Sequence, residues 1–221
     1  MYSFAQHPHV IPLDEPFYAH FLRFGGYDHP MREEILATME NDGNTVVEYI
    51  LDASHVKNVI FCKQMTHHLV NIALDFLHQG FHILLIRHPA SMIASYQKVI
   101  PNITIDHIGI KNQWEFYNYL IDHKIEPIIL DSRYLLDNPR LILEKICHWA
   151  DISFTERMLT WLPGPKSYDG IWAKYWYESV HTTTCFKPEK EHQPHLPLSL
   201  LSLYDEALDY YNLLHPLSIR P

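Results

Sequence analysis

Four short apolar runs in this sequence each end on ionisable side chains: Asp14 and Glu15 follow His9 to Leu13, Lys63 follows Asn58 to Phe61, Arg87 and His88 follow His82 to Ile86, and Asp131 follows Pro127 to Leu130. An arginine beside hydroxyls suits the holding of an anion. Any single charged residue after such a run is as well explained by the chain reaching the surface. Four in succession read as a site. The densest segment is ILLIRHPASMIASY, from Ile83 to Tyr96. Pro89 suits the first turn of a helix, which puts Ser91 in that turn and Ser95 four residues on, along the same face. Arg87 stands just ahead. A guanidinium offers a planar fork of donors, the hydroxyls add more, and the helix dipole favours negative charge, so the segment fits a phosphate. The plainer assignment is a surface ion pair for Arg87 and a solvent-facing Ser95.

A second group lies in KQMTHH, where Lys63 is followed within about a turn by His67 and His68. A histidine can accept a proton near neutral pH, and a lysine can offset charge on a departing oxygen. With 17 histidines in the chain, any one of them is more often a surface or core residue than a base. A zinc site is the weaker alternative, because adjacent histidines on a helix point different ways and no third ligand is evident. Further on, Trp172, Tyr175, Trp176 and Tyr177 are expected to pack in a core.

The elements that position these residues follow from periodicity. Short β-type runs alternating with helical segments predict an α/β fold, a parallel sheet covered by helices. The helices are expected over Thr66 to Gln79, with Leu69, Val70, Ala73, Phe76 and Leu77 on one face and Gly80 ending it, and over Ala90 to Val99, Trp114 to His123, Pro139 to Ala150 and Pro197 to Leu214. Asn138 is the expected cap of the fourth. The segment after Asn58 to Phe61 would thus form a βαβ unit with His82 to Ile86, and no strand is expected beyond about Phe154. Ligands of open parallel sheets bind at the carboxyl ends of the strands, where the ionisable residues fall.

At 221 residues and 47% hydrophobic, with no Gly/Ser-rich stretch, the chain is expected to form one domain around a sizeable core. Its formal charge of −9 argues against nucleic acid or an anionic membrane as a partner and favours a small-molecule pocket held by local groups. Three well-separated cysteines, Cys62, Cys147 and Cys185, fit neither a disulfide framework nor a zinc ribbon. With no leader-like opening and no run near the ~20 apolar residues of a membrane span, a cytoplasmic protein is expected.

The arrangement in which Arg87 ends a strand, Pro89 follows and Ser95 stands eight positions after the arginine resembles the sulfotransferase family. In that family the pair holds the 3′-phosphate of 3′-phosphoadenosine 5′-phosphosulfate. DSRYLLDNPRLILEKICHWADISF is similar to the family's strand, acidic turn and long helix. MYSFAQ, DEPFYAH, FCKQMTHH and GPKSYDGIWAKYWYESVHTTTCF resemble a sulfotransferase-like subgroup, so the likeness runs through most of the chain. It implies a three-layer, P-loop-like α/β domain over residues 1–221, with a core at about 9–153 and a helical and lid portion at about 154–221. It implies 3′-phosphoadenosine 5′-phosphosulfate as donor, a hydroxyl or amine acceptor, and no metal. Arg87, Ser91 and Ser95 would hold the nucleotide, His67 or His68 would be the base, and Lys63 would lie near the transferred group. Asp14 and Glu15 would face the acceptor. A late loop would cover the nucleotide with Thr183, Thr184 and Phe186, alongside Thr182, Lys187 and Lys190, with Cys185 where a glycine is expected. The resemblance also implies that the chain is N-terminally truncated: Met1 to Gln6 matches the end of the helix after the loop that grips the 5′-phosphosulfate, and neither Gly25-Gly26 nor Gly164-Pro165 replaces that loop. Catalysis by such a chain is therefore left open.

Two other classes fit parts of the sequence. LLIRHP is superficially like the Arg-His strand end of histidine phosphatases, with His88 as phosphate acceptor, although Pro follows where that motif takes Gly. A non-catalytic nucleotide-binding or interaction protein would use Arg87 and Ser95 without transfer.

Overall fold

A computed structural model describes residues 1–25, 31–54, 59–98, 100, 102–188 and 194–221. Of the residues the sequence reading draws on, Gly26, Asn58, Val99 and Lys190 lie outside the described residues. The chain divides into two units, one of Met1–Phe76 with Thr155–Cys185, the other of Leu77–Phe154 with Phe186–Pro221.

In the first unit, strand β1 (Val10–Asp14) runs into helices α1 (Tyr18–Gly25), α2 (Arg32–Thr38) and α3 (Gly43–Ser54) before the chain returns as β2 (Val59–Lys63). β1 and β2 pair in parallel, with Val10 opposite Val59 and Asp14 opposite Lys63. The three helices are the crossover that parallel pairing requires. α1 buries Tyr18, Ala19, Phe21 and Leu22 against Ile35 of α2 and against Trp172, with Val70 and Trp176 packed at the margin. Leu22 and Ile35 are fully enclosed, and burying each stabilises the unit by about 1.5–3 kcal/mol.

In the second unit, β3 (Ile83–Ile86) is followed by α4 (Pro89–Tyr96), α5 (Ile105–Ile108) and α6 (Ile110–Asp122), then β4 (Ile128–Asp131), α7 (Ser132–Asp137) and α8 (Pro139–Trp149). β3 and β4 are again parallel, Ile83 opposite Ile128 and Ile86 opposite Asp131. After two one-turn helices of the first unit, α9 (Ala173–Trp176) and α10 (Glu178–His181), the second unit closes with α11 (Leu201–Leu214), which packs on α4, α5 and α6. Its core contains Ile86, Ile93, Ile110, Ile129, Ala207 and Leu214.

The α/β class and the parallel pairing agree with the sequence reading, and the four strands found among the described residues lie within a residue or two of the expected runs. Four details differ. Thr66 to Gln79 is no α-helix: it forms two short 3-10 turns, Thr66–His68 and Asp75–Gln79, on either side of Asn71, whose φ of 51° leaves the right-handed region and breaks the helical path. With β2 and β3 in separate two-stranded sheets, the crossovers are instead β1 to β2 and β3 to β4. Asn138 stands at the N-cap of α8 but makes no capping bond; Pro139 at the first position has no N–H to satisfy and presets φ. At the start of the chain, Phe4–Gln6 is a single 3-10 turn rather than the end of an α-helix. None of the described helices is long and apolar enough to cross a membrane.

Candidate functional site

The parallel register brings Asp14 and Lys63 side by side at the carboxyl ends of β1 and β2. One residue on, Glu15 takes a φ of 49°, unusual for a non-glycine residue, while its N–H still donates to the Lys63 carbonyl at 2.7 Å. Strain of this sort costs about 1 kcal/mol or more and tends to collect at working sites. It turns the Glu15 carboxylate onto the Lys63 ammonium, which donates to Oε1. The same ammonium lies 3.4 Å from Asp14 Oδ1 and donates to the Tyr177 hydroxyl at 2.7 Å. Tyr177 in turn donates to Asp14 at 2.7 Å, and the Gly170 N–H donates to Asp14 Oδ2 at 2.9 Å. Asp14 and Glu15 are buried, and the Lys63 side chain keeps 32% of its exposure.

Burial alone works against the Lys63 charge, but Glu15 and Asp14 outweigh it and hold the lysine pKa above its ordinary value. Burial likewise raises the Tyr177 hydroxyl, so it stays a proton donor at neutral pH. The cluster therefore keeps its lysine charged and its phenol protonated.

The two histidines of the sequence reading lie in the turn after β2. His68 is buried, with Nδ1 3.9 Å from Glu15 Oε2, a distance too long for a hydrogen bond. Its ring stacks on Tyr18 at 4.9 Å and on Phe21 at 4.7 Å. His67 stands edge-on to Phe21 at 5.2 Å and perpendicular to His68.

A second polar cluster of the same unit centres on Asp169. Its Oδ2 accepts from the Tyr2 hydroxyl at 2.8 Å and the Lys166 N–H at 2.8 Å, and lies 3.0 Å from His181 Nε2. The next residue is Gly170, already bonded to Asp14, so one short turn serves both clusters. A Cβ at Gly170 would fall 2.1 Å from the Trp172 ring, which leaves glycine as the residue that fits. The aromatic segment thus splits: Trp172 packs in the core as expected, Tyr175 is exposed, and Tyr177 belongs to the polar site. The sequence offered no signal for Asp169 with His181, since the two lie twelve residues apart with no single regular element joining them.

Thr183 donates its hydroxyl to the Val180 carbonyl at 2.7 Å and accepts from Trp161 Nε1 at 3.1 Å. Thr184 is exposed, its carbonyl accepting from the Trp161 N–H at 2.9 Å, and Phe186 is half-buried in the second unit.

In the second unit, Arg87 is half-buried between the end of β3 and Pro89, the first residue of α4. α4 buries Ala90 and Ile93, which turns Ser91, half-buried, and Ser95, exposed, away from that face. The expected order of guanidinium, helix start and two hydroxyls four residues apart is present. His88 packs edge-on to Tyr211 at 5.4 Å, and burial lowers its pKa. Asp131 serves the fold: it caps α7 by accepting from the Arg133 N–H at 2.7 Å and accepts from the Tyr211 hydroxyl at 2.6 Å.

Cys147 is buried, and Cys62 and Cys185 are half-buried. Burial pushes the Cys62 thiol up to about 12 and the Cys147 thiol to about 11. Both are expected to resist iodoacetamide at pH 8 in the folded chain and to react only on unfolding. Peptide mapping after brief labelling checks this, and prompt modification of Cys62 would contradict it.

Residues 1–216 match the family model described as "Sulfotransferase domain". Two curated proteins of Arabidopsis thaliana, branched-chain-amino-acid aminotransferase-like proteins 1 and 2, are 35% and 34% identical over 215 residues, covering 97% of this chain. The match takes in 39% and 38% of those proteins, so the chain spans about two fifths of the length of the curated relatives it matches. Among solved structures, the sulfotransferase domain from the Synechococcus PCC 7002 olefin synthase superposes with a TM-score of 0.53 at 14% identity, over 93% of this chain and 96% of that one, a likeness of fold.

Proposed function

The chain belongs to the sulfotransferase domain family, and from that premise we propose that it transfers a sulfuryl group from 3′-phosphoadenosine 5′-phosphosulfate to a hydroxyl or amine of a small acceptor. Residues 1–221 are read as one domain of this type, working in a reducing compartment such as the cytoplasm. The observation that carries the reading is Arg87 at the strand end with Ser91 and Ser95 on the following helix, a donor set suited to the 3′-phosphate. Thr183, Thr184 and Phe186 are assigned to the nucleotide's cover. In the first unit Lys63 is assigned to the transferred group and Asp14 and Glu15 to the acceptor, with His67 or His68 as base.

A non-catalytic nucleotide-binding role is the second reading, and one observation favours it. Lys63 already has its charge matched by Glu15 and Asp14, so it must exchange partners before it can serve a sulfuryl group.

Calorimetric titration with adenosine 3′,5′-bisphosphate tests the nucleotide site. Arg87→Ala is expected to weaken binding more than tenfold, since charge-assisted hydrogen bonds contribute ~1.5–3 kcal/mol each and ~1.4 kcal/mol is a factor of ten. Equal affinity in the variant would remove the assignment. Transfer of labelled sulfate to phenol and amine probes then separates the transferase from the binding protein.

A further inference from the structure

Among the described residues of the first unit two histidine–carboxylate pairs stand out, and they differ in geometry. His68 is 3.9 Å from Glu15, with a side chain only 3% exposed and aromatic rings stacked against it. A substrate proton has no direct path to it. His181 lies 3.0 Å from Asp169 Oδ2, a hydrogen-bond distance, and its side chain is 16% exposed while that of Asp169 is 4% exposed.

The bonding around Asp169 sets the tautomer. Its Oδ2 already accepts from Tyr2 and from the Lys166 N–H, so it acts as an acceptor towards His181 and Nε2 carries the hydrogen. Nδ1 is then the bare nitrogen, and it has no hydrogen-bond partner among the described residues. Tyr2 stacks on the imidazole at 6.5 Å and Tyr177 meets it edge-on at 6.1 Å, which fixes the ring plane. Tyr177 also bonds to Asp14 and Lys63, and the turn that carries Asp169 continues into Gly170, bonded to Asp14. His181 is thus built into the same network as the lysine.

We infer that His181, oriented by Asp169, is the residue that takes the proton from the acceptor, in place of His67 or His68. The inference rests on the transferase reading above. In the step, the acceptor oxygen or nitrogen bonds to sulfur as the bond from sulfur to the phosphate oxygen of the donor breaks. The bond's electron pair leaves with adenosine 3′,5′-bisphosphate, and the acceptor's proton passes to His181 Nδ1 and then to water. His181 is the catalytic residue and Asp169 the positioning one. The groups facing the imidazole are the Asp169 carboxylate and the Tyr2 and Tyr177 phenols, with the Lys166 ammonium 5.5 Å from the Tyr2 ring.

The test uses the full chain with labelled 3′-phosphoadenosine 5′-phosphosulfate and a panel of phenols and primary amines. His181→Gln is expected to lower kcat by about a hundredfold or more with bisphosphate binding retained. Asp169→Asn presents an amide N–H to Nε2 and is expected to move the proton to Nδ1, read directly in two-bond proton–nitrogen spectra, with kcat falling at least tenfold. Calorimetry with adenosine 3′,5′-bisphosphate accompanies each variant. If nucleotide binding persists while His181→Gln keeps its rate, or if wild-type His181 carries its hydrogen on Nδ1, the inference is overturned and the transferase reading stands. If the wild type binds no bisphosphate or sulfates no probe, both fall together.

Discussion

Lys63→Met lowers the stability of the chain by about 3 kcal/mol, near the lower end of the 3–5 kcal/mol seen when one member of a buried ion pair is removed. The lower end applies because the lysine side chain keeps 32% of its exposure, so water already screens part of the interaction. The loss arises less from attraction forgone than from what is left behind. Asp14 and Glu15, both under a tenth exposed, would face each other with no cation, and the Tyr177 hydroxyl would lose its donor. Glu15→Gln added to Lys63→Met removes one of the stranded charges and is expected to recover a substantial part of the loss. Urea unfolding of the single and double variants measures it, and a single variant as stable as the parent would show that the cluster is not a coupled ion pair. The sign with pH follows from the raised lysine pKa. The lysine's contribution is complete below its ordinary value of about 10.4 and disappears as pH climbs through the higher folded value.

Gly170→Ala is expected to cost about 3 kcal/mol or more, the upper part of the range for overpacking. The added methyl would sit 2.1 Å from the indole of Trp172, a side chain 2% exposed and packed edge-on against Tyr18 at 4.8 Å. The ring cannot step aside without disturbing the core of the first unit. Moving the backbone instead breaks the Gly170 N–H bond to Asp14 and shifts Asp169 away from His181. The melting temperature and the near-ultraviolet signal of Trp172 report the two routes. Should Gly170→Ala melt with the parent and keep that signal, the turn has more room than the packing implies.

Local features of this chain were readable in its residues because they depend on neighbours in sequence. The β-type runs became β1 to β4 within a residue or two, and the Arg87-Pro89-Ser91-Ser95 order became a strand end and a helix start, since proline at the first turn and four-residue spacing act over a few bonds. Thr66 to Gln79 shows where such reasoning stops. Its apolar spacing suits a helix, yet a single left-handed residue at Asn71 divides it, and periodicity carries no term for that.

The family was legible in the same way, through Arg87 with Ser95 and the longer matching segments, and the family model over residues 1–216 agrees. So were the members of the lysine cluster contributed by strand ends, Asp14, Glu15 and Lys63, because parallel strands deliver their carboxyl ends to one edge. What only the tertiary structure decided is who joins them. Tyr177 lies 163 residues from Asp14 and 114 from Lys63, and Asp169 lies 167 from Tyr2. No local propensity couples positions that far apart; the pairing exists because burying Trp172 against α1 carries the 169–181 segment onto the strand ends, where unpaired polar groups must find partners as water is excluded.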